Sequence, residues 1–273
     1  MGSLEVVTVA AGRRARLGAR ALLLAALLVA FLVHPLPSPA RADTLFGHDI
    51  SWPQCSSAEG GYGLPMPPRS TDFVIVGLTR GRAFTENPCL ADQVRWVRRH
   101  DKPNHAYAMG TFPTPSQLDD HGDEGPWEAS TRAGRLRNVG YAAAQFAVDS
   151  MNDLDWRPPM VWIDVEAQRN QPWPMGTATR EEENRFVLEA LMRGLEDNGF
   201  AYGVYSYKAG WHEITGNWHL PTVPVWATAG RLDHPDEALD RCSQPSFSGG
   251  PVHIAQWYDD TRDYDRTCSE FSF

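Results

Sequence analysis

The stretch MVWIDVE, residues 160–166, decides how the rest of the chain is read. Its apolar residues run on without the polar alternation of a half-exposed strand, the pattern of a strand covered on both faces in a parallel sheet. Yet Asp164 and Glu166 stand at its C-terminal end. Side chains two apart on a strand share a face, with Cα atoms roughly 6.6 Å apart, so the two acids point the same way.

Comparable runs recur on either side: LFGHDIS (45–51), DFVIVGL (72–78), HAYAMGT (105–111), AYGVYSY (201–207), VPVWAT (223–228) and HIAQWY (253–258). Helix-like segments lie between several of them. Leu90, Val94 and Val97 follow Asn87-Pro88, an N-cap with proline in the first turn, and Leu136, Val139, Ala143, Phe146 and Ala147 share a helical face. The clearest helix spans Arg180 to Asp197, with Thr179 and Glu182 at capping-box spacing, Val187, Leu191 and Leu195 on one face and Asn198-Gly199 as a stop. About seven such strands alternating with helices imply an α/β fold in one domain, a closed or nearly closed TIM-like (β/α) barrel, with an open doubly wound sheet as the second choice. The latter lacks the G-x-G-x-x-G turn of its dinucleotide-binding form. Two connections, residues 53–71 and 110–128, are rich in Pro and Gly and show no helical period. At the C-terminal face of a barrel, such loops build binding walls.

Residues 1–42 are set aside as a signal peptide: Arg13, Arg14, Arg16 and Arg20, then the apolar ALLLAALLVAFLV (21–33), then the small-residue exit Ala40-Arg41-Ala42. The apolar run is shorter than the about 20 residues a membrane span needs. The expected product is a barrel domain over residues 43–273, secreted or held at the cell wall, with no membrane association after cleavage. The whole chain carries a formal charge of −9, and the leader holds five arginines against Glu5, so the remainder is more acidic still. That balance argues against nucleic acid or an anionic surface as partner. Cys55, Cys89, Cys242 and Cys268 all lie beyond the leader, where an oxidising compartment would join them in two disulfides, with three connectivities open. There is no C-x-x-C, and His212 and His219 stand seven apart where a zinc helix needs four, so no metal or other cofactor is implied.

Two carboxyls in a half-buried cleft raise one another's proton affinity and leave an acid beside an anion, the pairing that glycosidic cleavage uses. An isolated D-x-E more often caps a helix or pairs with an arginine. Here Asp49 lies near the end of the first strand, and Asp263 and Asp265 follow the last one. A closed barrel would bring acids from all three places to one mouth.

These residues resemble the family 25 glycoside hydrolases, the bacterial and phage N-acetylmuramidases. GHDISWPQ is similar to the family's G-x-D-V-S-x-x-Q opening, VWIDVE to its D-x-E strand, YGVYSY and VPVWAT to its later strands, and AQWYDDTRDYDRT to its closing Gln-aromatic pair and Asp. The resemblance implies a flattened (β/α) barrel that hydrolyses β-1,4 bonds between N-acetylmuramic acid and N-acetylglucosamine in peptidoglycan, acting as a monomer. Carried over, it makes Glu166 the general acid. Asp164 would assist at the anomeric centre or orient the acetamido group, Asp49 would hydrogen-bond within the cluster, and Asp265 would be the closing acid with Asp263 as alternative.

Tyr205, Trp226, Gln256 and Trp257 are the expected substrate contacts on strand ends, joined by Trp52, Trp127 and Trp173 in loops. Trp162 is expected as core, between its strand and a helix. On the same scheme Cys55 pairs with Cys89 and Cys242 with Cys268, both at the mouth. The loop 53–71 stands where the family has a helix, and AYAMGTFP departs from its third strand end, which leaves a different wall polysaccharide or a non-catalytic glycan-binding protein as the alternatives. A serine hydrolase is disfavoured because no G-x-S-x-G is present.

Overall fold

The computed structural model describes residues 44–167, 172–232 and 235–268; the expected signal peptide lies outside them. Eight strands close a barrel in chain order: β1 (Phe46–Ile50), β2 (Phe73–Gly77), β3 (Asn104–Met109), β4 (Met160–Asp164), β5 (Ala201–Ser206), β6 (Val225–Arg231), β7 (Val252–Tyr258) and β8 (Asp263–Thr267). The first seven pair in parallel, whereas β8 runs antiparallel to both β7 and β1. The sequence reading placed DYDRT after the last strand. It is instead the strand that closes the barrel, reached through a tight turn in which Asp259 Oδ1 accepts the Thr261 and Arg262 N–H groups.

Period-two alternation sorts the strand residues. Phe73, Ile75, Tyr107, Met109, Trp162, Tyr205, Trp226 and Ile254 point inward and fill the barrel. Large rings fit because three strand partners give up their side chains: Gly47 lies opposite Phe73, Gly77 opposite Tyr107, and Gly203 opposite Trp162. A Cβ at any of the three would run into the facing ring. Trp162 is therefore core, as expected, but inside the barrel rather than under a helix.

Outward residues such as Val74, Val76, Val161, Ile163, Val165 and Val204 form a second core beneath the helices. These are α1 (Leu90–Arg99), α2 (Pro115–His121), α3 (Arg132–Asn152), α4 (Ala178–Asp197), α5 (Lys208–Thr215) and α6 (Pro235–Ser243). Helix α4 begins two residues before its expected start, because Thr177, not Thr179, is extended and accepts the Arg180 N–H. The second Pro/Gly loop also differs from expectation: α2 forms there, capped by Thr114 and Gln117 with proline in its first turn. Its exposed, polar sequence carries no apolar period to announce it. The loop after β1 holds only two 3-10 turns, Trp52–Gln54 and Ser57–Glu59. Among the described residues, no helix is long and apolar enough to cross a membrane.

Both disulfides join the expected cysteines. Cys55–Cys89 ties the loop after β1 to the start of α1, near the mouth. Cys242–Cys268 does not lie there. Because β8 descends, Cys268 follows it at the opposite end, where its N–H bonds to the carbonyl of His253 at the start of β7, and α6 brings Cys242 down to meet it.

Filling one of the glycine positions should strain the interior. Gly203→Ala is expected to lower unfolding free energy by about 1–3 kcal/mol, read from the urea midpoint. An unchanged midpoint would contradict the ring-against-glycine account of the core.

Candidate active site

Inward alternation also delivers the acids. In β1 it turns Asp49 inward after Gly47, and in β4 it turns Asp164 inward after Trp162, with Glu166 just beyond the strand end. In β8 it selects Asp263 and Asp265, and direction then separates the two. Asp263 is level with Tyr258 at the top of β7, and Asp265 lies deeper, level with Gln256 and Gly47. A cleft of about 340 Å³ at the mouth is lined by Asp49, Asp164, Glu166 and Asp263, together with Trp52, Tyr107, Tyr205, Trp226, Gln256 and Tyr258. Asp265 is fully buried beneath it.

A chain of hydrogen bonds fixes the floor. The Tyr205 hydroxyl donates to Gln256 Oε1 at 2.7 Å, and Gln256 Nε2 donates to Asp49 Oδ2 at 2.9 Å. Trp226 Nε1 donates to Asp265 Oδ1 at 2.8 Å. Asp265 Oδ2 meets no hydrogen-bond partner among the described residues, and the charge of Asp265 acts on the neighbouring Asp49 carboxyl. With both groups buried beside one another, the ionised form of each is disfavoured.

The electrostatics follow from burial and from the absence of lysine or arginine among the described cleft-lining residues. Burial, then the Asp263 and Asp265 charges, holds the Asp49 carboxyl well above the usual range. Burial does the same for Asp265. For Asp164, burial is followed by repulsion from Glu166 and Asp263, and its Oδ1 has no hydrogen-bond partner among the described residues. Burial and Asp263 push Glu166 from 4.5 to about 7, and Asp263 itself rises to about 6. Such a cluster can present a protonated carboxyl beside ionised ones near neutral pH. Among the described residues, no group of three or more His, Cys, Asp or Glu side chains is arranged to hold a metal ion.

The expected substrate contacts divide. Tyr205, Trp226 and Gln256 line the cleft, while Trp257 does not. Gln256 faces inward, so its neighbour must face outward, and Trp257 stacks on Tyr264 beside Ala238 of α6. Of the loop tryptophans, Trp52 lines the cleft, Trp173 is buried against Phe112, and Trp127 packs on Tyr141 of α3. Tyr107 and Tyr258 escaped the sequence reading, although each sits two residues from another inward position, Met109 and Gln256 respectively. The Tyr107 ring also lies beside Ser51, just after β1.

Comparison with known proteins agrees with this architecture. A family model described as Lysozyme-like protein 1 matches residues 134–231, from α3 to the end of β6. Among solved structures, a muramidase from Trichobolus zukalii superposes with a TM-score of 0.51 at 17% identity, over 82% of this chain and 93% of that one. A family GH25 lysozyme from Aspergillus fumigatus gives 0.51 at 14% identity, over 82% and 94%. The modular autolysin LytC from Streptococcus pneumoniae, solved with a synthetic peptidoglycan ligand, gives 0.50 at 14% identity over 82% of this chain. This chain spans about half of that protein, 46% of its length. No curated protein sequence matches the chain. The protein has the distorted β/α barrel fold of the GH25 lysozymes.

The raised pKa of Glu166 sets a pH dependence of stability. In the unfolded chain this carboxyl ionises near 4.5, and in the folded protein only near 7. Its contribution is therefore fully present below the unfolded value and is lost as pH rises toward 7. Glu166→Gln is expected to be more stable than the unmutated protein at pH 7.5, by about 1–3 kcal/mol, with the gain vanishing at pH 4. Equal stabilities at both pH values, measured by urea unfolding, would contradict the burial of this acid.

Proposed function

We propose that this protein is a divergent family 25 glycoside hydrolase, exported from the cell, that cleaves β-1,4 bonds between N-acetylmuramic acid and N-acetylglucosamine in peptidoglycan. The observation that carries this reading is Glu166, a carboxyl held protonated to about 7 beside Asp164 and Asp263 in a cleft with no lysine or arginine among its described lining residues. Glycoside hydrolysis needs this combination, because the leaving oxygen must receive a proton while the sugar carbon develops positive charge. Glu166 is the proton donor. Asp164 faces the same cleft, and its unpartnered Oδ1 suits the N–H of an acetamido group and the cationic carbon beside it.

Asp263 at the mouth takes the part of the closing acid, and its charge sustains the proton on Glu166. Asp49 on the cleft floor and Asp265 beneath it are positioning residues, held by Gln256 and Trp226 respectively. Tyr205, Trp226 and Trp52 offer ring surface against a pyranose. Disulfide bonding of all four cysteines supports an oxidising destination, in keeping with export.

The test is release of new reducing ends from purified peptidoglycan by the protein lacking residues 1–42. Release is expected to be greatest below neutrality and to fall as pH passes 7, where Glu166 loses its proton. Glu166→Gln should reduce the rate by about 10²–10⁴-fold. No release by the unmutated protein on walls from several sources would leave the barrel as a glycan-binding protein, and equal release by both proteins would remove Glu166 from the acid role.

A further inference from the structure

Beside the acidic cleft lies a second cavity, of about 750 Å³, which shares Glu166, Tyr205 and Tyr258 with it. It extends along the outer face of β6, from Lys208 at the start of α5 to Phe247 between α6 and β7. In β2 and β4 the outward positions carry Val or Ile that fill the space beneath the helices, while β3 carries Ala106 and Ala108. In β6 the corresponding lining residues are Ala227 and Ala229, followed by Gly230. Protein interiors are otherwise close-packed, and an opening of this size falls within the roughly 300–1,000 Å³ of small-molecule sites.

The charge of the cavity is opposite to that of the cleft. Among the described residues, four carboxyls and no cation line the cleft, whereas Lys208 and Arg241 line the cavity and its one acid is the shared Glu166. Arg241 Nη1 donates to Gln244 Oε1 at 3.1 Å, while its buried Nε meets no acceptor among the described residues. Donors of this kind are suited to a carboxylate. A peptidoglycan strand divides in the same way, into uncharged sugar rings and a peptide arm that bears carboxylates. The acids of the cleft would repel that arm.

We propose that the cavity is a second binding site, continuous with the cleft, that receives the carboxylate-bearing peptide arm of the strand, with Lys208 and Arg241 as its anion contacts. This rests on the peptidoglycan reading above. The test is calorimetric binding by the Glu166→Gln protein, which cannot turn the ligand over, of soluble strands with peptides attached and of the same strands after an amidase has removed the peptides. A preference of about tenfold for the peptide-bearing strand is expected, reduced severalfold by Lys208→Glu and by Arg241→Gln. Lys208 is exposed, so its substitution carries the test alone if the Arg241 variant does not fold.

Equal affinity for the two strands would overturn the proposal, as would a preference that survives both substitutions. Loss of the preference on adding a glycerol phosphate polymer, with free peptide having no effect, would also overturn it by marking a phosphate site. Peptide preference without release of reducing ends by the unmutated protein would support the site and remove only the hydrolase reading. Failure to bind either strand would remove both.

Discussion

Asp49 and Asp265 are buried together at the floor of the barrel mouth, where burial and neighbouring acids hold both carboxyls well above the usual range, and the mouth is organised around that constraint. Neither group finds a cation among the described residues to neutralise it. Trp226 satisfies one oxygen of Asp265, and the Tyr205–Gln256 pair satisfies one oxygen of Asp49, so both carboxyls are held by neutral donors. Neutral donors orient a carboxyl without strongly favouring its ionised form, which a guanidinium would do. The proton retained there lowers the charge beneath the cleft. Asp164, Glu166 and Asp263 then share the remaining repulsion at the surface, and the result is an acid at Glu166 rather than an anion.

Strand direction determines which acids reach that surface. Seven strands ascend, so their C-terminal inward residues arrive at the mouth: Asp49, Asp164, Gln256 and Tyr258. The eighth descends and presents its first residue there, which brings Asp263 to the cleft and leaves Asp265 a layer below. The same reversal carries Cys268 to the far end of the barrel, where its disulfide holds α6 instead of a binding loop. The interior rings depend on glycine in the neighbouring strand, and those rings in turn support the acids: Trp162 lies directly beneath Asp164, two residues earlier on the same strand.

Much of this was legible in the sequence because it depends on local rules. Apolar runs identified seven strands, and the i, i+2 spacing placed Asp164 and Glu166 on one face. The cysteine positions alone left three connectivities open; the pairing came with the barrel scheme, which put Cys242–Cys268 at the wrong end. What escaped depends on partners or direction. DYDRT has no apolar run, since its inward residues are two acids and a threonine whose burial is settled by the strands on either side. Trp257 and Gln256 were both assigned to the substrate, although neighbours in a strand face opposite ways. Tyr107 was passed over because nothing in HAYAMGT separates a cleft tyrosine from a core one until the barrel closes and Ser51 comes within reach. The start of α4 was misplaced between two threonines whose backbone geometry decides which one caps.

The central claim is that burial and the neighbouring Asp263 keep Glu166 protonated to near neutrality. Its side-chain carboxyl carbon, followed by NMR as a function of pH in the intact protein and in Asp263→Asn, tests this most directly. Titration near 7, moving down in the variant, is the expected result. Titration near 4.5, or at the same pH with and without the Asp263 charge, would contradict the account.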